Sequence, residues 1–203
     1  MTQVFTQVST KEEKYLTYKE QMERLKLANT QGFYFEGIFI LYAMMEDRLS
    51  AFLYYAGLTN NSRSKFSTSK MIKPYLDEIR ISLDKKEIEI RKISSKIMVI
   101  CAILQWTDNF TPDAHSTDYR NVLIRQFGRT AGNKEIASVL ERVQVWCGSR
   151  NELVHALLNK RLEDQEELLR ELVDEGIVLS RKLDNFVRSF KVRNNIRKQF
   201  NVQ

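Results

Sequence analysis

Residues 33–57, FYFEGIFILYAMMEDRLSAFLYYAG, are apolar nearly all the way round a helix, and such a helix belongs at the centre of a bundle or in a subunit interface. The segment predicts a helix from Phe33 through Tyr55, stopped by Gly57, whose residue type suits the left-handed position after a helix. The whole chain of 203 residues holds only seven Gly and two Pro, too few for the corners of a many-stranded β protein. Its hydrophobic fraction of 43% and charged fraction of 29% are those of a folded globular chain. The expectation is therefore all-α: an up-and-down bundle of four to five main helices with additional short helices, folded as a single domain over 1–203.

The other helices follow from caps and breaks. Thr10 and Glu13 have capping-box spacing, which predicts a first helix running to about Asn29. Asn60 to Ser69 is polar and reads as a loop. Met71 to Leu83 reads as a helix with Pro74 in its first turn, where proline is tolerated. A long helix is expected over 86–107, a loop over Asp108 to Thr117, a short helix over Asp118 to Phe127 and a break over Gly128 to Gly132. Asn133 opens a helix to about Trp146. Gly148 and Ser149 interrupt the pattern, and Ser149 with Glu152 repeats the capping-box spacing, so a new or kinked helix is expected there. The last helix spans about Leu162 to Phe190.

The formal net charge of +6 is unevenly placed. Glu163 to Glu175 hold seven acidic residues and one basic, whereas 181–203 hold seven basic and one acidic. Acids early and bases late complement the dipole of one helix. The basic C-terminal extension at about 188–203, with the run KVRNNIRKQF, exceeds what a helix end needs and suggests an anionic partner. The longest uncharged runs inside apolar segments, Gly37 to Met45 and Ile97 to Thr107, fall short of the roughly 18 to 20 residues that span a bilayer. The opening MTQVFTQVSTKEEK lacks the basic start and apolar stretch of a secretion signal. No membrane partner is expected, and a cytoplasmic location is. Cys101 and Cys147 lack paired spacing and read as reduced, mostly buried thiols.

Several chemistries lack their parts. The sequence has no glycine-rich phosphate loop, no dinucleotide fingerprint and no Gly-x-Ser-x-Gly elbow. With His115 and His155 as its two histidines, a histidine-rich metal site within one chain is not expected, and no cofactor is. His115, in a polar loop beside Asp113 and Asp118, reads as solvated surface. One compact cluster remains: Ser149-Arg150-Asn151-Glu152-Leu153-Val154-His155. Glu46 and Asp47, on the apolar second helix, are supporting candidates, because a carboxylate there is costly unless paired.

This cluster resembles the signature of the HEPN family, the higher eukaryotes and prokaryotes nucleotide-binding domains: Arg, four to six residues, then His. Asn151 after the arginine and the apolar pair Leu153 and Val154 before the histidine agree with it, as do the helical architecture and the apolar second helix. Family members often continue with a small residue and an aromatic after the histidine, and a toxin subgroup has Tyr two positions on; here those positions are Ala156 and Leu157, so regulation by modifying such a tyrosine is not implied. The resemblance implies an HEPN-like bundle that works as a homodimer, with RNA as substrate, Arg150, Asn151 and His155 as catalytic residues, and a role as a toxin or defence protein with an antitoxin or regulatory partner.

The residues themselves fit such chemistry. Histidine, with an unperturbed pKa near 6.5, exchanges protons at neutral pH, and arginine pairs with phosphate oxygens. On one helix Asn151 and His155 lie about 40° apart, while Arg150 lies about 140° from His155. One copy presents an incomplete set, and a two-fold axis would bring two sets to one groove. The expected function is a metal-independent endoribonuclease acting through the ribose 2′-hydroxyl. The alternative is a non-catalytic HEPN-like bundle that binds nucleotide, RNA or a protein partner. A third reading, a helical scaffold assembled through its apolar second helix, needs no chemistry.

Overall fold

A computed structural model describes residues 11–61, 63, 65–128, 133–156, 165–192 and 195–202. Five long helices and three short ones lie among them: α1 (Lys11–Thr30), α2 (Tyr34–Tyr55), α3 (Lys73–Ser82), α4 (Ile93–Asn109), α5 (Tyr119–Phe127), α6 (Asn133–Ala156), α7 (Glu166–Val192) and α8 (Ile196–Gln199). The β-type pairing among these residues is one isolated bridge between Thr59 and Phe66. The protein is an all-α bundle. None of the described helices is long and apolar enough to cross a membrane.

The apolar second segment takes the central place its pattern requires. α2 packs most extensively on α7, then on α1 and α4. Leu41, Met45, Leu49, Phe52 and Leu53 of α2 are buried almost completely. Contacts between α2 and α7 advance together along both helices, from Gly37 against Val173 to Arg48 against Asp184 and Phe52 against Phe186 and Phe190, so the two run parallel. α1 runs antiparallel to α2, with Arg24 on Glu36 and Lys14 on Asp47. α6 runs antiparallel to α7, with Arg142 on Glu175 and Trp146 on Leu172. At the lower end of α2, the Phe52 ring lies 5.2 Å from that of Phe186 and 4.8 Å from that of Phe190. Such pairs add about 0.5–1.5 kcal/mol each to the burial of their area.

Glycine sets the closest approach. A Cβ built on Gly176 would meet Leu41 Cδ1 at 2.8 Å and the Trp146 ring at 3.1 Å, so α2, α6 and α7 converge where α7 has no side chain. Gly57, at φ +78°, ends α2 as expected.

Two expectations are corrected. α4 begins at Ile93 rather than at residue 86. Ile90 is buried and Ile88 is partly buried against the core, and a spacing of two presents both to one side only in extended chain. α6 runs unbroken through Gly148 and Ser149. The buried stripe of Val139, Leu140, Val143, Trp146, Cys147 and Leu153 stays in phase across them, so packing overrides the local preference for a break. Ser149 caps nothing; its hydroxyl turns back to the Val145 carbonyl at 3.4 Å. The basic extension packs against the bundle over 195–202, where Ile196, Phe200 and Val202 are buried. Thr10 of the first capping box, the stretch 129–132 and the expected start of the last helix at Leu162 lie outside the described residues.

Candidate functional site

The motif sits in the last two turns of α6 rather than at a helix start. Its backbone N–H groups are therefore taken up by the helical ladder, and an anion has to be held by side chains. Arg150 faces α2. Its guanidinium carbon lies 4.8 Å from the centre of the Tyr42 ring and 5.0 Å from that of Phe39. Its Nη1 donates to Asn151 Oδ1 at 2.9 Å. Phe39, Tyr42 and Glu46 share a face of α2 through i, i+3, i+7 spacing. Among the described residues Arg150 forms no ion pair with a carboxylate, so aromatic faces and one amide oxygen hold it without cancelling its charge. Asn151 and His155 are exposed, and Arg150 is half-buried. His155 occupies the last turn of α6.

The two supporting carboxylates part company. Glu46 accepts from Lys96 Nζ at 2.6 Å, and Lys96 is 5% exposed, so the pair ties α2 to α4 on the side that faces α6. The charges of Glu46 and Arg150 both act on Tyr42 and Cys147, which puts this carboxylate within electrostatic reach of the motif arginine. Cys147 is a buried free thiol. Burial pushes its pKa up to about 11, Arg150 opposing and Glu46 adding to the effect, so it is no thiolate nucleophile at neutral pH.

Asp47 lies one residue on and points elsewhere. It accepts from Lys14 Nζ at 2.7 Å and from the Tyr18 hydroxyl at 2.7 Å, and also pairs with Arg48 and Arg63. Burial acts to raise its pKa, but the Lys14 hydrogen bond, the Arg48 charge and the Tyr18 hydroxyl outweigh it and hold the carboxyl at about 2. Arg48 also reaches Asp184 of α7 at 3.0 Å. This network joins α1, α2 and α7 and does not include the motif residues.

His115 is exposed, its backbone N–H donating to Asp113 Oδ1 at 2.8 Å. Among the described residues no group of three or more His, Cys, Asp or Glu side chains is placed to hold a metal ion. The aromatic brace of Phe39 and Tyr42 escaped the sequence reading, which took α2 as uniform core; the signal was an aromatic pair one turn apart, in line with Glu46.

Comparison with protein-family models, with curated proteins and with solved structures finds no match for this chain.

Proposed function

We propose that the protein is a metal-independent endoribonuclease of HEPN type, working at a composite site where two copies appose Arg150, Asn151 and His155. The observation that carries the reading is a half-buried arginine, braced by two aromatic rings and an amide and not paired with a carboxylate among the described residues, with an exposed imidazole on the same helix. A braced cation has lost orientational freedom before phosphate arrives, which favours transition-state stabilisation.

One imidazole takes the proton of a ribose 2′-hydroxyl as that oxygen bonds to phosphorus. The bond from phosphorus to the 5′-oxygen breaks, and a second, protonated imidazole gives the leaving oxygen its proton. Arg150 holds the phosphate oxygens, and Asn151 orients Arg150. The products are a 2′,3′-cyclic phosphate and a 5′-hydroxyl. A two-fold pairing supplies the second imidazole, and Phe39, 48% exposed beside Arg150, offers apolar area for it.

The test is incubation of pure protein with RNA in EDTA, beside His155→Ala and Arg150→Ala. Cleavage to cyclic-phosphate ends by the wild type alone supports the reading; equal cleavage by all three, or none by any, rejects it. The angle of about 140° between Arg150 and His155 around one helix favours the second reading, a non-catalytic binder, if the protein is a strict monomer.

A further inference from the structure

The end of the bundle remote from Arg150 gathers positive charge from two distant segments. Residues 52–73 hold four Lys or Arg, residues 185–203 hold five, and neither segment has an Asp or Glu. The fold joins them. Arg197 donates to the carbonyls of Tyr54 and Thr59 and to Asn61 Oδ1, and Ser69 Oγ donates to the Phe200 carbonyl at 2.9 Å. Arg197 and Arg63 both lie over the Tyr54 ring, at 3.8 and 4.9 Å. Lys191 lies over the Tyr55 ring at 5.3 Å, and the two tyrosine rings are 5.3 Å apart. Lys65, Lys70, Lys191 and Lys198 are exposed, and they lie on the segments these contacts join: the Lys65 carbonyl accepts from the Asn60 N–H, Lys70 follows Ser69 and Lys198 follows Arg197.

Little opposes that charge. Arg197 is satisfied by carbonyls, an amide and a ring, which bind it without cancelling it. Asp47 reaches Arg63 at 3.4 Å but is shared with Lys14 and Arg48, and Asp184 pairs with Arg188 while also serving Arg48. Among the described residues the four lysines have no carboxylate partner. An uncompensated cluster of this kind attracts polyanions.

We propose that this surface binds single-stranded nucleic acid, with backbone phosphates on Lys65, Lys70, Lys191 and Lys198. Exposed cations beside guanidinium planes that lie on aromatic rings suit such a ligand, because phosphates meet the lysine charges while bases stack on the outer faces of the guanidinium planes. An anionic membrane surface would call for apolar side chains that project and insert, and both tyrosines here are half-buried beneath cations. The twelve helical steps of α2 from Tyr42 to Tyr54 place this surface about 18 Å from the Arg150 brace, so it is a second site and does not depend on cleavage.

The test measures fluorescence anisotropy of a labelled oligouridine with the full chain, in an Arg150→Ala/His155→Ala background so that cleavage cannot intervene. Changing the four lysines together to Glu is expected to weaken binding at low salt at least tenfold. It should also make the slope of log affinity against log salt shallower by about 3, at roughly 0.7 per lost phosphate contact on a single strand. If the charge reversal lowers the melting temperature, the four Lys→Gln changes are read in its place, with the same change of slope. Unchanged oligouridine binding overturns the proposal, and so does a variant that loses binding only to phosphatidylserine-containing vesicles.

Discussion

The Arg150 guanidinium carbon stands 4.8 Å above the Tyr42 ring, and this contact couples the motif on α6 to the central helix of the bundle. A long cation on the end of a helix would otherwise sample many rotamers. Tyr42 and Phe39 confine it from one side and Asn151 from the other. The core helix thus helps to shape the site.

If the rings position Arg150, removing them should slow RNA cleavage without unfolding the protein. Each cation–π contact at a partly exposed site contributes about 0.5–1 kcal/mol. Phe39→Ala with Tyr42→Ala is therefore expected to lower the single-turnover rate by about 5- to 30-fold. Tyr42→Phe keeps the ring and is expected to stay within about twofold of wild type. Equal rates for all three proteins would show that the rings do not position Arg150.

Asp47 predicts an acid transition. Its carboxyl sits at about 2 in the folded protein, below the ordinary value of 3.8. A lowered folded pKa means stability that is fully present above about pH 4 and is lost as the pH falls through about 2. The contribution is on the order of 2 kcal/mol. Asp47→Asn is expected to reduce stability at pH 7 and to flatten the part of the curve between pH 4 and 2, as followed by urea denaturation at each pH. A variant curve parallel to wild type would remove Asp47 as the cause.

Much of this fold was legible in the sequence because its signals were local. Gly57 ended α2 because glycine takes its positive φ without the strain that most side chains meet there, and Pro74 fell in the first turn of α3. Where local and tertiary preferences conflicted, the sequence misled. Gly148 and Ser149 look like a break, yet an in-phase apolar stripe on both sides carries α6 through. The candidate site was legible as a list of residue types and not as an arrangement. Glu46 and Asp47 are adjacent in sequence, but a turn of about 100° sends one toward α4 and α6 and the other into the network of α1 and α7. Sequence spacing gave no sign that the Arg150 charge would be met by rings of α2.

Two glycines should respond oppositely to alanine. At Gly176 the new methyl would press on Leu41 and on a Trp146 ring whose Nε1–H is fixed to the Leu172 carbonyl at 2.7 Å. Overpacking costs about 1–3 kcal/mol, more than the helix-propensity gain of about 1 kcal/mol. At Gly148 a methyl meets nothing within 4 Å, so the gain of about 0.4–1 kcal/mol remains. Thermal unfolding is expected to show Gly176→Ala below wild type and Gly148→Ala above it. A stabilised Gly176→Ala would mean that α2, α6 and α7 are not in close contact there.

The basic C-terminal stretch offers a last test, because its fold and its charge make separate demands. Phe200 is 2% exposed and meets the Tyr119 ring edge-on at 5.5 Å, and Ile196 touches the space above Gly57. Truncating a buried Phe to Ala costs about 3–5 kcal/mol, which lowers the melting temperature of a chain this size by about 6–20 °C. Lys198, exposed two residues earlier, is expected to tolerate Ala with no thermal effect. If Phe200→Ala melts with wild type, the stretch is a solvated appendage and α8 does not belong to the core. If it melts early, the cations beside it are held in place by a packed element.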